Sequence, residues 1–119
     1  MTVLSLTPVL NAPSLPALQQ FYAALFGLSL AEDMGWHRRL QAGPQTSRAA
    51  QVMLATTGGE GTPVPELRIA VDDVDAYAEK ARAHGHDILY GPETESWGAR
   101  RFMLLDPAGN LLEVVAGAP

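Results

Sequence analysis

The residues with most chemistry to offer stand close together in the stretch Ser96 to Val114, SWGARRFMLLDPAGNLLEV. Trp97 precedes two adjacent arginines, Arg100 and Arg101, and the apolar strand after the Asp106 turn carries one carboxylate, Glu113. Arg101 to Leu105 and Leu111 to Val115 read as strands. Asp106-Pro107-Ala108-Gly109-Asn110 between them carries turn residues, so the whole run predicts a hairpin. On a strand Arg100 and Phe102 share one face, and Arg101 and Met103 the other. A guanidinium on the functional face has two uses: pairing with Glu113 across the hairpin, or holding a carboxylate or phosphate of a ligand. Trp97 and Trp36 add flat surfaces for stacking. The structural alternative is an arginine whose stem covers apolar surface while its head reaches water.

Other candidates are fewer. Glu66 follows Pro65 at a strand entry and is read either as a second carboxylate for a polar ligand or as a side chain facing water. His84 and His86 flank the glycine that ends a helix. They read as an exposed turn, with His84 near a helix C-terminus where a cation is favourable, rather than as a metal pair. His37 falls on a middle strand. The chain has no cysteine, which excludes disulfides, thiolate catalysis and Cys-based zinc or iron–sulfur sites.

Composition narrows the partners. A formal net charge of −5 disfavours nucleic acid and anionic membranes, which both reward a basic field. No apolar run approaches the roughly 20 residues of a membrane span. The opening MTVLSLTPVL lacks a basic n-region and meets Pro8 and Pro13 early, so it reads as a first strand rather than a signal peptide. A cytoplasmic protein is expected.

With 119 residues, 47% of them hydrophobic and 18% charged, the chain fits one domain with a shared core. After a strand at Val3 to Leu10, Ser14 caps a helix that runs to about Phe26, with Pro16 in its first turn and Gly27 as the left-handed stop. Leu18, Phe21, Tyr22, Leu25 and Phe26 are expected on one apolar face. Strands are predicted at Leu28 to Ala31, Trp36 to Ala42 and Ala49 to Thr56, with turns at Asp33-Met34-Gly35 and Gly43-Pro44. Gly58 to Pro65 is a Gly/Pro-rich connection, after which the order repeats. A strand spans Glu66 to Val71, Asp72 or Asp73 caps a helix through about His84, and strands follow at about Asp87 to Tyr90, Ala99 to Leu105 and Leu111 to Ala116. Gly27 and Gly85 occupy matching places, and Trp36-His37-Arg38-Arg39-Leu40 echoes Trp97-Gly98-Ala99-Arg100-Arg101-Phe102. The expectation is a repeat of two βαβββ units, about residues 1–57 and 66–116, neither able to bury its sheet alone.

Three pieces of sequence then resemble the vicinal-oxygen-chelate superfamily of glyoxalases, bleomycin-resistance proteins, fosfomycin-resistance proteins and extradiol dioxygenases. They are Phe21-Tyr22 with Leu25-Phe26-Gly27-Leu28, Val71-Asp72-Asp73-Val74-Asp75-Ala76, and Asp106-Pro107-Ala108-Gly109-Asn110-Leu111-Leu112-Glu113. The last hairpin, with Trp97-Gly98-x-Arg100-x-Phe102, is most similar to bleomycin-resistance-type members. The resemblance implies an α+β fold of two βαβββ modules forming an incomplete barrel around a cleft, and a homodimer. It also implies that one of Arg100 and Arg101 faces the cleft. Metal-using members resemble one another in ligands that carry over near Thr7, about Gln51, Glu66 and Glu113. Only Glu66 and Glu113 among these are good donors for a divalent ion. The expected function is therefore a metal-independent small-molecule binder without a cofactor, its ligand met by Trp36, Trp97, Arg100, Phe102, Glu113 and Glu66. The alternative is a metal-dependent, glyoxalase-like lyase, an isomerase or a dioxygenase acting on vicinal oxygens, with Glu66 and Glu113 on the ion.

Overall fold

The computed structural model describes residues 1–43 and 50–117. Pro44 of the expected Gly43-Pro44 turn, and Ala49 at the start of the expected third strand of the first half, lie outside the described residues. The elements run β1 (Val3–Asn11), α1 (Leu15–Phe26), β2 (Ser29–Asp33), β3 (His37–Gln41), β4 (Gln51–Ala55), β5 (Leu67–Val71), α2 (Val74–Ala83), β6 (Tyr90–Thr94), β7 (Arg100–Leu105) and β8 (Leu111–Ala116). This is an α+β fold in which strand, helix and three strands occur twice. Two compact units contain them: Thr7–Val64, called the first unit, and Pro65–Pro119 with Met1–Leu6, the second.

Local chemistry explains where the helices begin and end. The Ser14 hydroxyl accepts from the Ala17 N–H at 3.4 Å, and Pro16 sits in the first turn. Gly27 takes φ 70°, a left-handed value that a β-carbon disfavours. For α2 the cap is Asp73, whose carboxylate accepts from Ala76 N–H at 3.1 Å. Asp72 is used differently: it accepts the Thr2 N–H at 2.8 Å and so ties the first residues of the chain to the second unit. α2 closes with Gly85 N–H on Arg82 O and His86 N–H on Ala81 O, the paired bonds of a Schellman end.

In the first unit the hydrogen-bonded order is β2-β3-β4-β1, with β4 and β1 parallel through Val9↔Met53. Ala12, Leu15, Leu40 and Leu54 form its core under α1, and Val9, Met53 and Ala55 cluster separately. The apolar face expected for α1 is split. Leu15 is buried, and Leu18 and Tyr22 pack against that core, but Phe21, Leu25 and Phe26 are 54%, 63% and 62% exposed. The reason is geometric: at 100° per residue, Phe21 and Leu25 fall to one flank of the stripe defined by Leu15, Leu18 and Tyr22, and Phe26 is in the last turn.

The second unit repeats the order as β5-β8-β7-β6, with β5 and β8 parallel through Arg68↔Glu113. Its core joins Val71, Val74, Ala78, Phe102 and Val114 under α2. The strand expected at Asp87 to Tyr90 lies instead at Tyr90–Thr94 and runs through Gly91-Pro92. That dipeptide reads as a break in sequence. β6 tolerates it because, among the described strands, it pairs with β7 alone, so Pro92 has an open side for its missing N–H, and the register is irregular there. Gly91, at φ 77°, leaves no room for a side chain, since a β-carbon would come 2.4 Å from Arg101 O.

Candidate ligand-binding site

The sheet of the second unit has two faces with different occupants. On β7, Phe102 turns toward α2, so Arg101 and Met103 turn the other way, and on β8 Glu113 joins them there. The register Met103↔Glu113 and Arg101↔Val115 sets Arg101 diagonally opposite Glu113, within reach of a long side chain. Arg101 is 0% exposed. Its Nη1 donates to Glu113 Oε2 at 2.8 Å, and its Nε and Nη2 both reach Glu95 Oε2 at 2.7 Å. Arg68, the neighbour of Glu113 on β5, brings Nε to 3.3 Å from the other carboxylate oxygen. Tyr90 donates its hydroxyl to Glu95 at 2.9 Å. The guanidinium carbon of Arg101 also lies 5.1 Å from the Tyr90 ring centroid and 5.2 Å from that of Trp97.

A tight turn supplies Glu95 and Trp97 together. Glu95 N–H donates to Ala99 O at 2.7 Å and Gly98 N–H to Glu95 O at 3.0 Å, with Gly98 at φ 95°. This turn aims Glu95 inward and lays Trp97 beside the guanidinium. Electrostatically the group closes on itself: two guanidinium cations face two carboxylates. Burial opposes the charge on Arg101, but the bonds to Glu113 and then Glu95 outweigh it and hold Arg101 protonated above its ordinary range. Burial, aided by the bond to anionic Glu95, pushes the Tyr90 phenol up.

The structure places the expected residues unequally. Arg101, not Arg100, is the arginine that meets Glu113. Arg100 lies on the helix-bearing face, where it holds Asp75 of α2 through two bonds of 2.9 and 2.8 Å and Thr94 through one of 3.0 Å. That partner keeps the Asp75 carboxyl below its usual range. Phe102 is 2% exposed in the core on that same face, so the hairpin's aromatic packs under α2 rather than beside Glu113. Glu66 is exposed and accepts the Leu111 N–H, fastening the entry of β5 to that of β8. Trp36 belongs to the first unit and lies against His37, with ring centroids 4.4 Å apart and planes tilted by 32°. Thr7 is buried at 3% exposure, and Gln51 is half-buried at the start of β4.

Sequence reasoning missed Glu95, Tyr90 and Arg68. Only Arg68 had a usable signal, because it sits two residues after Glu66 and so shares its strand face. The carboxylates proposed for a divalent ion do not form a donor set. Glu113 carries two arginines, Glu66 holds a backbone amide, and among the described residues no group of three or more His, Asp or Glu converges on one point.

The first unit has a counterpart at the equivalent strand positions. His37 on β3 is 4% exposed, its Nδ1 is 3.1 Å from Met53 Sδ on β4, and its Nε2 is 4.0 Å from Glu32 Oε1. Arg38 turns to the helix-bearing face, where it meets Asp33 and Gln19 of α1 at 3.3 and 2.9 Å.

A doubled βαβββ fold with a charged cluster on the helix-free face of one sheet defines a class of small proteins built by repetition. The chain belongs to the Glyoxalase/Bleomycin resistance protein/Dioxygenase superfamily, whose profile matches residues 5–114. A comparison with curated proteins returns no match. Among solved structures it is similar to a glyoxalase/bleomycin resistance protein/dioxygenase superfamily member from Vibrio splendidus, at 18% identity and TM-score 0.65, over 98% of this chain and 100% of that one. It is similar to a Streptomyces coelicolor methylmalonyl-CoA epimerase, solved with 2-nitronate-propionyl-CoA, at 25% identity and TM-score 0.67, over 97% and 100%. A Legionella pneumophila structure described as an NAD-dependent benzaldehyde dehydrogenase matches at 13% identity and TM-score 0.78, over 96% and 100%, which is a likeness of fold.

Proposed function

We propose that the protein is a metal-independent small-molecule binder of the glyoxalase/bleomycin-resistance type, acting in the cytoplasm as a homodimer. One observation supports this most: the carboxylate at the position of a metal ligand, Glu113, is already neutralised by Arg101 at 2.8 Å and Arg68 at 3.3 Å. A divalent ion there would have to displace a buried, permanently charged guanidinium and would gain a single carboxylate. What the cluster offers a ligand is its outer layer. The Trp97 and Tyr90 rings are half-buried, and Arg68 keeps 13% of its side chain exposed. These suit a planar or anionic group. The exposed Phe21, Leu25 and Phe26 of α1 support a partner copy. The competing reading, a metal-dependent lyase, isomerase or dioxygenase, draws support from the likeness to the epimerase.

One preparation separates the two. Protein purified without added metal is expected to contain no stoichiometric divalent ion and to show no rise in melting temperature with zinc, nickel, manganese or magnesium, while light scattering gives twice 12.7 kDa. Glu113→Gln is expected to lose about 1 to 3 kcal/mol of stability. One equivalent of tightly held metal, lost in both Glu113→Gln and Glu66→Gln, would overturn the binder reading in favour of the enzyme.

A further inference from the structure

We propose that the second unit carries a separate ligand site on the opposite, helix-bearing face of its sheet, and that this site takes a linear amphiphile with an anionic head, of the class of medium-chain carboxylates. A cavity of about 350 Å³ lies there, within the range of ligand pockets. Its wall is apolar: Ile69, Phe102, Leu104, Leu112 and Val114 from the strands and Ala81 from α2. Glu113 falls between Leu112 and Val114 and therefore points away from it, so the cavity shares no charged group with the Arg101 cluster.

The polar end of this cavity carries one fixed cation and two imidazoles, and no carboxylate among the described residues lines it. Lys80, His84 and His86 line it, all at the C-terminal end of α2. They are not consumed in capping the helix, because the carbonyls of Lys80, Ala81 and Arg82 already accept backbone N–H groups from His84, His86 and Gly85. The two imidazole planes lie within 8° of parallel, with ring centroids 6.5 Å apart. Lys80 is exposed and is in no ion pair among the described residues, so its ammonium is available to a carboxylate at the mouth. An apolar tail against the strands and an anion against Lys80 and the histidines would satisfy both ends. A neutral alcohol would leave the Lys80 ammonium unmatched, and a cationic amphiphile would be repelled by it.

Isothermal titration of the full chain with sodium decanoate, kept below its micellar concentration, tests the site. One saturable site per chain is expected, with decanol and decyltrimethylammonium markedly weaker. Ala81→Trp, which fills the cavity, should abolish the binding. Lys80→Glu alters an exposed side chain without touching the core, and should weaken it about tenfold; it keeps the test decisive if Ala81→Trp fails to fold. Absence of saturable binding, equal binding of decanol, or an unchanged Lys80→Glu would overturn the proposal. So would light scattering in which Ala81→Trp dissociates a dimer, since a second copy would then occupy this face.

Discussion

The two units place different chemistry at the same point of the same scaffold. In the second, β7–β8 pairing sets Met103 opposite Glu113, and Arg101, two residues earlier, reaches across to the carboxylate. In the first, β3–β4 pairing sets Arg39 opposite Met53, and His37, two residues earlier, reaches across to the thioether. A tryptophan lies against each central side chain, Trp97 beside Arg101 and Trp36 on His37. What differs is the energetic stake. The arginine cluster holds four charges with little water, so each member depends on the others. The histidine cluster centres on a neutral sulfur at 3.1 Å, with a Glu32 carboxylate oxygen at 4.0 Å, so less buried charge is at stake. Repetition has kept the geometry and let the polar contents diverge.

Breaking each centre in turn should expose that difference. Arg101→Met leaves Glu95 and Glu113 without their shared cation, and urea unfolding is expected to show a loss of about 3 to 5 kcal/mol. His37→Leu in the first unit is expected to cost less, about 1 kcal/mol, because its contact to the Met53 sulfur is weak and the Glu32 carboxylate is 4.0 Å away. Equal costs would mean that the two clusters are the same kind of structure. A double change, Arg101→Met with Glu95→Gln, should recover part of the loss, since Glu95 then carries no charge and Glu113 keeps its ion pair with Arg68.

A finer distinction comes from alkaline titration. The Tyr90 pKa is raised above 10.0 in the folded chain, so the folded state keeps that proton longer than the unfolded one. Its contribution to stability is full below pH 10.0 and is lost as the pH rises through the folded value. Tyr90→Phe should flatten this part of the urea-midpoint profile above pH 10 and cost about 1 kcal/mol below it. An unchanged alkaline profile would detach Tyr90 from the Glu95–Arg101 centre.

Much of the fold was legible in the sequence because caps and turns are local. Ser14, Gly27, Asp73 and the Asp106 to Asn110 turn each act within a few residues, and each is where the pattern puts it. The site was half legible. Alternation along β7 separates Arg100 from Arg101, but which face lies under α2 depends on α2 itself. The sequence pattern therefore left both arginines open and set Phe102 among the ligand contacts. Glu95 and Tyr90 were illegible because they join through a turn and an irregular edge strand, where neither a period of two nor a motif applies. The exposed flank of α1 was misread for a related reason: helical spacing shows that residues share a side of a helix, and says nothing of how wide a strip the sheet beneath can cover.

The tie between Thr2 and Asp72 also bears on the order in which the chain is made. Met1–Leu6 belong to a unit whose remaining residues begin at Pro65, and the bond that anchors them spans 70 positions. During synthesis these six residues emerge before the first unit, yet their partners come only after that whole unit has been translated, several seconds later at about 5–20 residues per second. Throughout that interval Val3, Leu4 and Leu6 are a hydrophobic strand segment of the nascent chain waiting for its partner. The early life of this protein is thus a race between completing a distant partner and being captured by a neighbouring chain.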